Sequence, residues 1–123
     1  MELHIHEVAN VMVMRVDGRV DHLTAKQFET ALLPELNACS GDTKKALLDL
    51  SGVTYMSSAG LRVLMLAAKQ CQKQRGVIVL AGLQPFLQEV FRISRFDTLF
   101  KVFDTATTAL EAIAPEPSAQ SGA

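Results

Sequence analysis

Two adjacent serines, Ser57 and Ser58, have the residue type and the position most suited to chemistry in this chain. They directly precede a segment with helical spacing of apolar residues, so one of them is expected to be the N-cap and to accept a hydrogen bond from a backbone N–H two or three residues later. If Ser57 takes that role, Ser58 is the first helical residue and its hydroxyl is free. Because negative charge is favourable at a helix N-terminus, this hydroxyl is a suitable place for a phosphate. The alternative is that both serines only cap the helix.

Catalytic partners for these serines are not evident in the sequence. A serine nucleophile needs a histidine base, and no spacing places His4, His6 or His22 beside Ser58. The glycine-rich motifs of nucleotide-binding loops and the G-x-S-x-G nucleophile motif are also missing. We therefore expect a protein that is not an enzyme and that uses no cofactor.

Metal binding and redox chemistry are also not expected. Side chains alternate along a strand, so His4 and His6 face the same side of the first predicted strand. No third ligand can be identified from the sequence, and a solvated strand face is the better interpretation. Cys39 and Cys71 form no C-x-x-C pair, so we expect both to be core thiols.

The segment that positions the two serines is predicted to be a strand, a connector and a helix. Residues 46–50 are an apolar run typical of a buried strand, and a short connector with a glycine follows. On the helix, Arg62, Lys69 and Lys73 are expected to face solvent. Leu66 lies near them as an exposed apolar residue, which makes it a candidate docking point. The spacing predicts a buried stripe made of Leu61, Leu64, Met65, Ala68 and Cys71.

The rest of the chain alternates strands and helices, which predicts an α/β fold with parallel strand pairs and a first pair that can be antiparallel. Thr24 and Gln27 match a capping box at the start of the first helix, and Pro34 is expected to kink or break that helix. Gly76 is expected to cap the central helix at its C-terminus. Further strands are predicted at 3–8, 11–17, 77–81 and 99–103, and further helices at 85–94 and 105–113.

Length and charge limit the classes of protein that this chain can belong to. Its 123 residues suit one domain, 1–114, followed by a loose tail, 115–123, that can bury nothing. With 12 basic and 13 acidic residues and no basic cluster, the chain is not expected to bind nucleic acid. No apolar run approaches the ~20 residues that span a bilayer, and the N-terminus lacks a signal-peptide pattern. We therefore expect a cytoplasmic protein that does not insert into membranes.

The string LLDLSGVTYMSSAGLRVL, residues 47–64, resembles the signature of the STAS domain, the fold of bacterial anti-sigma-factor antagonists. The segment Gly18-Arg19-Val20-Asp21 resembles the G-x-L-D segment of that family, and residues 91–103 resemble its C-terminal segment. The resemblance covers about residues 3–113. It implies a mixed β-sheet with the helices packed mainly on one face.

The resemblance also implies a function for the two serines. In STAS antagonists, the serine at the position of Ser58 is phosphorylated by a partner that is both an anti-sigma factor and a serine kinase. We therefore expect the unmodified protein to bind this partner and so free a sigma factor, and phosphorylation to switch binding off. A serine phosphatase is a further expected partner. Ser58 is the first choice for the phosphorylated residue and Ser57 the second. The expected partner-binding residues are Asp21, Ser57, Ser58, Ala59, Gly60, Arg62 and Leu66.

Two positions differ from the family pattern. Many members carry Asp directly before the phosphorylated serine, whereas this chain has Ser57, which leaves two candidate hydroxyls. Arg95 stands where glycine is usual, and costs about 1 kcal/mol if that position is left-handed. The alternative function is a phosphorylation-independent scaffold or an accessory subunit of a transporter or signalling complex. No feature of the sequence indicates the oligomeric state.

Overall fold

The computed structural model describes residues 1–41 and 43–114, so the tail expected at 115–123 lies outside the described residues. The helices and strands follow the order predicted from the sequence. In chain order, they are β1 (Glu2–Val8), β2 (Val11–Val20), α1 (Ala25–Leu32), a 3₁₀ segment (Leu33–Ala38), β3 (Lys45–Met56), α2 (Ser58–Lys73), β4 (Ile78–Ala81), α3 (Pro85–Ser94), a second 3₁₀ segment (Phe96–Thr98), β5 (Lys101–Phe103) and α4 (Ala106–Ile113).

The five strands form one mixed sheet in the order β1-β2-β3-β4-β5. β1 and β2 are antiparallel, and each later pair is parallel. Because the carboxyl ends of parallel strands lie at the same edge of a sheet, the loops after β2, β3 and β4 lie along one edge. At this edge Val20 of β2 pairs with Met56 of β3, which brings the segments that follow these two strands side by side.

Helices α1, α2 and α3 pack on one face of the sheet and α4 packs on the other. β2 contributes to both layers because its side chains alternate: Met12 and Met14 face the first three helices, while Val11 and Val13 face α4. The expected α/β fold, a mixed sheet with helices mainly on one face, is therefore confirmed. The three helices fill their layer with Phe28, Leu32, Val63, Leu64, Ala67, Cys71, Leu87 and Phe91.

None of the helices in the described part of the chain has the length and apolar composition needed to cross a membrane. Cys39 and Cys71 are buried and unpaired, as expected for core thiols. Burial, with Cys39 nearby, raises the pKa of the Cys71 thiol to about 11. This thiol is therefore protonated and unreactive at neutral pH.

Strand β3 is longer than predicted, because it continues to Met56 through the segment that was expected to be a connector. Its pairing with β2 is irregular along this extension. A Cβ at Gly52 would lie 1.8 Å from Asp17 Oδ1 and 3.0 Å from the Val16 carbonyl oxygen. Glycine thus lets β2 approach closely here, since a larger residue would displace the Asp17 side chain, and the predicted turn is wrong.

Of the two helix ends predicted from proline and glycine, one is confirmed and one is wrong. As expected, α1 ends where Pro34 enters: the chain continues from Leu33 as a 3₁₀ segment with the proline in its first turn. The prediction that Gly76 caps α2 is wrong. Arg75 takes the left-handed conformation with φ 57°, and the Gly76 N–H donates to the Cys71 carbonyl at 2.8 Å.

Arg95 adopts the left-handed conformation at the C-terminus of α3, with φ 67° and ψ 20°. Arg95→Gly is expected to raise the free energy of unfolding by about 1 kcal/mol, because glycine has no Cβ to oppose positive φ. Urea denaturation measures the change. The matched control is Arg92→Gly, within α3, which is expected to lower stability by about 1 kcal/mol. A destabilised Arg95→Gly variant would contradict the prediction.

Candidate functional site

The site predicted from the sequence is built at the edge where β2 and β3 end. The Ser57 N–H donates to the Val20 carbonyl oxygen at 2.8 Å, directly after the Val20–Met56 strand pair. This bond fixes the start of α2 beside the segment that begins with Asp21. The structure thus brings the Asp21 segment together with the serine pair, although 36 positions separate Asp21 from Ser57 in the sequence.

The two serines have different environments. Ser57 is the N-cap of α2, with extended backbone, and its Oγ accepts a hydrogen bond from the Gly60 N–H at 3.4 Å. Ser58 is the first residue of α2 and its side chain is exposed. Within residues 1–41 and 43–114, its hydroxyl takes part in none of the side-chain hydrogen bonds, although other helix-terminal hydroxyls such as Thr105 do. The cap is therefore Ser57, and Ser58 has the accessible hydroxyl.

Asp21 holds the turn that leads into α1. Its Oδ1 accepts hydrogen bonds from the Leu23 N–H at 3.0 Å and the Thr24 N–H at 3.1 Å, and its own N–H donates to Thr24 Oγ1 at 2.9 Å. The bond from the Thr24 N–H is the main reason that the pKa of Asp21 lies below its ordinary value. Its second oxygen, Oδ2, lies 3.8 Å from Arg19 Nε. Asp21 is thus a fixed, ionised acceptor beside the serines.

The capping box predicted at Thr24 and Gln27 is wrong. Thr24 makes no side-chain hydrogen bond to the first turn of α1, and Asp21 takes the capping role three residues earlier. The Gln27 side chain instead donates to the Met1 carbonyl oxygen at 3.4 Å. The reciprocal hydrogen bonds of a capping box form one turn earlier instead, between Asp21 and Thr24.

Gly60 was expected among the partner-binding residues, but the structure places it in the interior of the domain. It is buried, and a Cβ on it would lie 2.8 Å from Val20 Cγ1 and 2.8 Å from Met56 Cγ. Glycine is therefore required for the packing of α2 on the ends of β2 and β3. This correction removes Gly60 from the exposed part of the site and makes it a residue that positions Ser58.

The buried face of α2 is rotated relative to the predicted stripe, although Arg62, Lys69 and Lys73 are exposed as expected. Leu66 is half-buried, and so is Ala59. Leu66 precedes by one turn Gln70, whose amide donates to the Leu33 carbonyl at 3.1 Å, so this edge of α2 faces the 3₁₀ segment after α1. The expectation of an exposed Leu66 is therefore wrong. The buried residues of α2 are Gly60, Val63, Leu64, Ala67 and Cys71.

Sequence reasoning missed two exposed apolar residues on the two segments that build the site. Leu23, in the turn after Asp21, is 79% exposed, and Tyr55 near the end of β3 is 39% exposed. The Arg19 guanidinium lies 4.4 Å from the centre of the Tyr55 ring, within the range of a cation–π contact. The available signal was that Leu23 belongs to no apolar stripe and stands between polar residues in a turn.

One metal-capable cluster occurs in the part of the chain that the structure describes: ligand atoms of Glu2, His4 and Asp17 lie within 4.8 Å of one another. The sequence spacing, which singled out the pair His4 and His6, does not show this cluster. Asp17 Oδ1 already accepts a hydrogen bond from Arg15 Nε at 2.9 Å. The nearby guanidinium of Arg15 opposes a further cation. His4 Nε2 lies 3.6 Å from Glu2 Oε1 and 3.4 Å from Asp17 Oδ2.

The fold and the serine site define a small α/β domain with an accessible helix-terminal hydroxyl at the edge where parallel strands end. The family model of the STAS domain matches residues 2–109, and the chain belongs to the STAS domain family. A protein of Bordetella bronchiseptica, BtrV, whose name describes it as an anti-sigma factor antagonist, is 35% identical over 112 residues, which are 91% of this chain and 94% of that protein.

Solved structures share the fold at lower identity. A Thermotoga maritima protein described as an anti-sigma factor antagonist has a TM-score of 0.81 at 22% identity and covers 92% of this chain and 95% of its own. The Bacillus protein SpoIIAA in its phosphorylated form has a TM-score of 0.68 at 16% identity, with 91% and 99% covered. A sulfate transporter family protein of Wolinella succinogenes has a TM-score of 0.70 at 20% identity, with 84% of each chain covered. These likenesses show the fold alone.

Proposed function

We propose that this protein is an anti-sigma-factor antagonist that switches partners through Ser58. In its unmodified form it binds an anti-sigma factor with serine kinase activity, which frees a sigma factor. Phosphorylation of Ser58 ends that binding, and a serine phosphatase restores it. The observation that carries the proposal is the difference between the two serines: Ser57 Oγ is used in the N-cap, whereas the Ser58 hydroxyl is exposed. The 35% identity to BtrV supports the same function.

The position of Ser58 explains how a phosphate can act without unfolding the domain. Phosphorylation adds about −1.5 to −2 charges and three acceptor oxygens. At the first residue of α2 these face the positive end of the helix, where negative charge is favourable. Arg62 is four residues later, on the same exposed side of α2. The fold therefore tolerates the phosphate, and the effect falls on the partner that approaches this surface.

The proposed contact surface comprises more than the serine. Asp21 is fixed beside the start of α2, and Leu23 is the most exposed large apolar side chain of the described chain. A polar switch residue, together with an exposed leucine on the Asp21 turn, gives the proposed surface both an apolar anchor and a charge-sensitive position. Ala59 and Arg62 complete it along α2, while Gly60 supports it from below.

Phosphopeptide mapping tests the proposal directly. The purified chain is incubated with ATP and the anti-sigma kinase encoded in the same genome, and the modified residue is identified by mass spectrometry. The expected result is phosphate on Ser58 in the wild type and in Ser57→Ala, and none in Ser58→Ala. Phosphate on Ser57 would assign the phosphorylation site to Ser57 and contradict its assignment to Ser58. Partner binding without phosphate on either serine would favour the phosphorylation-independent scaffold instead.

The separate roles of the two hydroxyls lead to a stability prediction. Ser57→Ala is expected to lower the free energy of unfolding by about 1 kcal/mol, because the Gly60 N–H loses its side-chain acceptor. Ser58→Ala is expected to change it by less than about 0.5 kcal/mol, because its hydroxyl is exposed. Urea denaturation of both variants measures the difference. Equal losses in the two variants would contradict the assignment of the cap to Ser57.

A further inference from the structure

Helix α2 concentrates positive charge in a chain whose net charge is −1. Its sixteen residues include Arg62, Lys69 and Lys73 and no Asp or Glu. All three cations are exposed, and none of them takes part in an ion pair with a carboxylate of the described residues. The exposed face of α2 is thus a cationic surface that the rest of the described chain does not neutralise.

A groove of about 640 Å³ opens beside the C-terminal half of this helix. It lies between α2, the start of β4 and the segment 98–101, and we call it the α2–β5 groove. Of the described residues that line it, Lys69 and Lys101 are the only charged ones, and both are positive. Its apolar lining is formed mainly by Met65, Ala68, Val77, Ile78 and Leu99.

The groove is open to a partner and is separate from the serine site. Leu99 at its edge is 49% exposed, and Lys69 and Lys101 are exposed as well. Ser58 and Lys69 are eleven residues apart on the same helix, which corresponds to roughly 16 Å along its axis. A ligand in the groove therefore lies toward the end of α2 that is opposite to Ser58.

We infer that the α2–β5 groove binds an amphipathic helix of a partner protein, with leucine-sized side chains on one face and carboxylates beside them. An apolar floor with exposed edges suits a helix that inserts a row of apolar side chains, whereas a small molecule needs a site that encloses most of its surface. The cations at the edge, Lys69 and Lys101, select carboxylates, and Lys73 extends the same charge along α2. This binding does not depend on the phosphorylation of Ser58.

A synthetic peptide of about 18 residues, long enough to form a helix, serves as the probe. It carries Leu at helical positions i, i+3, i+4 and i+7 and Glu at the other positions, and it is titrated into the isotope-labelled full chain by NMR. Chemical-shift changes are expected at Met65, Ala68 and Leu99. Lys69→Glu combined with Lys101→Glu is expected to weaken binding at least about tenfold.

Two controls make the result specific. Lys26→Glu, an exposed charge reversal on α1, is expected to leave the affinity of the peptide within about twofold. A peptide with Lys in place of Glu is expected to bind the double variant more tightly than the wild type, because both charges are then reversed. No binding of the acidic peptide, shifts confined to other residues, or equal affinity for the double variant would overturn the inference. If the same residues shift when the chain is concentrated without peptide, the groove binds a second copy of the chain. That result would also overturn the inference.

Because the probe is a peptide and Ser58 is unmodified, the experiment does not involve the kinase. Peptide binding in the groove by a chain that is never phosphorylated would support the groove proposal and contradict the proposed switch. Phosphorylation of Ser58 in a chain that does not bind the peptide would support the proposed switch and contradict the groove proposal. The two proposals therefore fail separately.

Discussion

A phosphate on Ser58 is expected to weaken binding of the anti-sigma factor by about 100-fold or more while the domain stays folded. Ser58 is exposed at the start of α2, which is held next to the segment that begins with Asp21 and carries the exposed Leu23. A charge without a partner, or facing a like charge, costs several kcal/mol at an interface. About 2.8 kcal/mol corresponds to a 100-fold change in Kd. The loss is expected mainly in the dissociation rate.

The measurement is isothermal titration calorimetry of the anti-sigma factor with a chain that carries phosphoserine at position 58 from synthesis. Ser58→Asp and Ser58→Asn form a matched pair, because their side chains have the same size and differ in charge. The Asp variant is expected to bind at least about tenfold more weakly than the Asn variant if repulsion dominates. Equal weakening by both would assign the effect to bulk. A phosphorylated chain that binds as tightly as the unmodified one would contradict the proposed switch.

Thermal denaturation of the same variants separates loss of binding from loss of fold. Because α2 places the positive end of its dipole at position 58, Ser58→Asp is expected to stabilise the domain by about 0.3–1 kcal/mol. Ser58→Asn lacks the charge and is expected to gain less. A phosphorylated domain with a clearly lower midpoint of unfolding would show that the switch acts through the fold.

The order of elements and the position of the serines could be predicted from the sequence because they rest on local signals. The β2 run is apolar at nearly every position, and it is indeed buried on both faces. Ser57 and Ser58 precede a helix of clear period, and the helix begins where the pattern indicates. The closeness of the Asp21 segment to the serines could not be predicted from these patterns, because no local pattern sets the register between β2 and β3.

The buried face of α2 could not be predicted from period alone. More than half of the residues from 58 to 73 are apolar or glycine, so two stripes of helical spacing fit equally well. One contains Leu61, Met65 and Ala68, and the other contains Val63 and Ala67. The sheet selected the second, because α2 must place Gly60 against the ends of β2 and β3. This rotation moved Leu66 from an exposed to a half-buried position.

The structural roles of glycines were also predicted incorrectly, because they too depend on contacts between segments that are distant in the sequence. A glycine in the sequence suggests a turn or a helix cap, and both uses were predicted here. At Gly52 and Gly60 the actual requirement is the closeness of another segment, and arginines occupy left-handed positions at the ends of α2 and α3. Contacts between segments that are distant in the sequence determine where glycine is required, and the residues around each glycine do not reveal these contacts.

Gly76→Ala is expected to have the largest effect on stability among single-methyl additions at helix ends and loops. Gly76 lies between α2 and β4, and a Cβ on it would lie 2.3 Å from the Cys39 carbonyl oxygen and 2.8 Å from its carbonyl carbon. These backbone atoms cannot easily move away, because the Gln74 amide holds the same carbonyl oxygen at 2.6 Å and the Gly41 N–H donates to the Gln74 carbonyl at 3.2 Å. The overlap is therefore expected to break this connection.

We expect Gly76→Ala to lower the free energy of unfolding by about 3 kcal/mol and the midpoint of thermal unfolding by roughly 10 °C. The matched control is Gly41→Ala, whose φ of 55° is strained for alanine but whose Cβ would meet nothing within 4 Å. That variant is expected to lose only about 1 kcal/mol, so the pair separates steric overlap from backbone strain. Equal losses in the two variants would show that the segment at Cys39 moves freely. A larger loss at Gly76 would show that tertiary closeness, and not helix capping, requires glycine there.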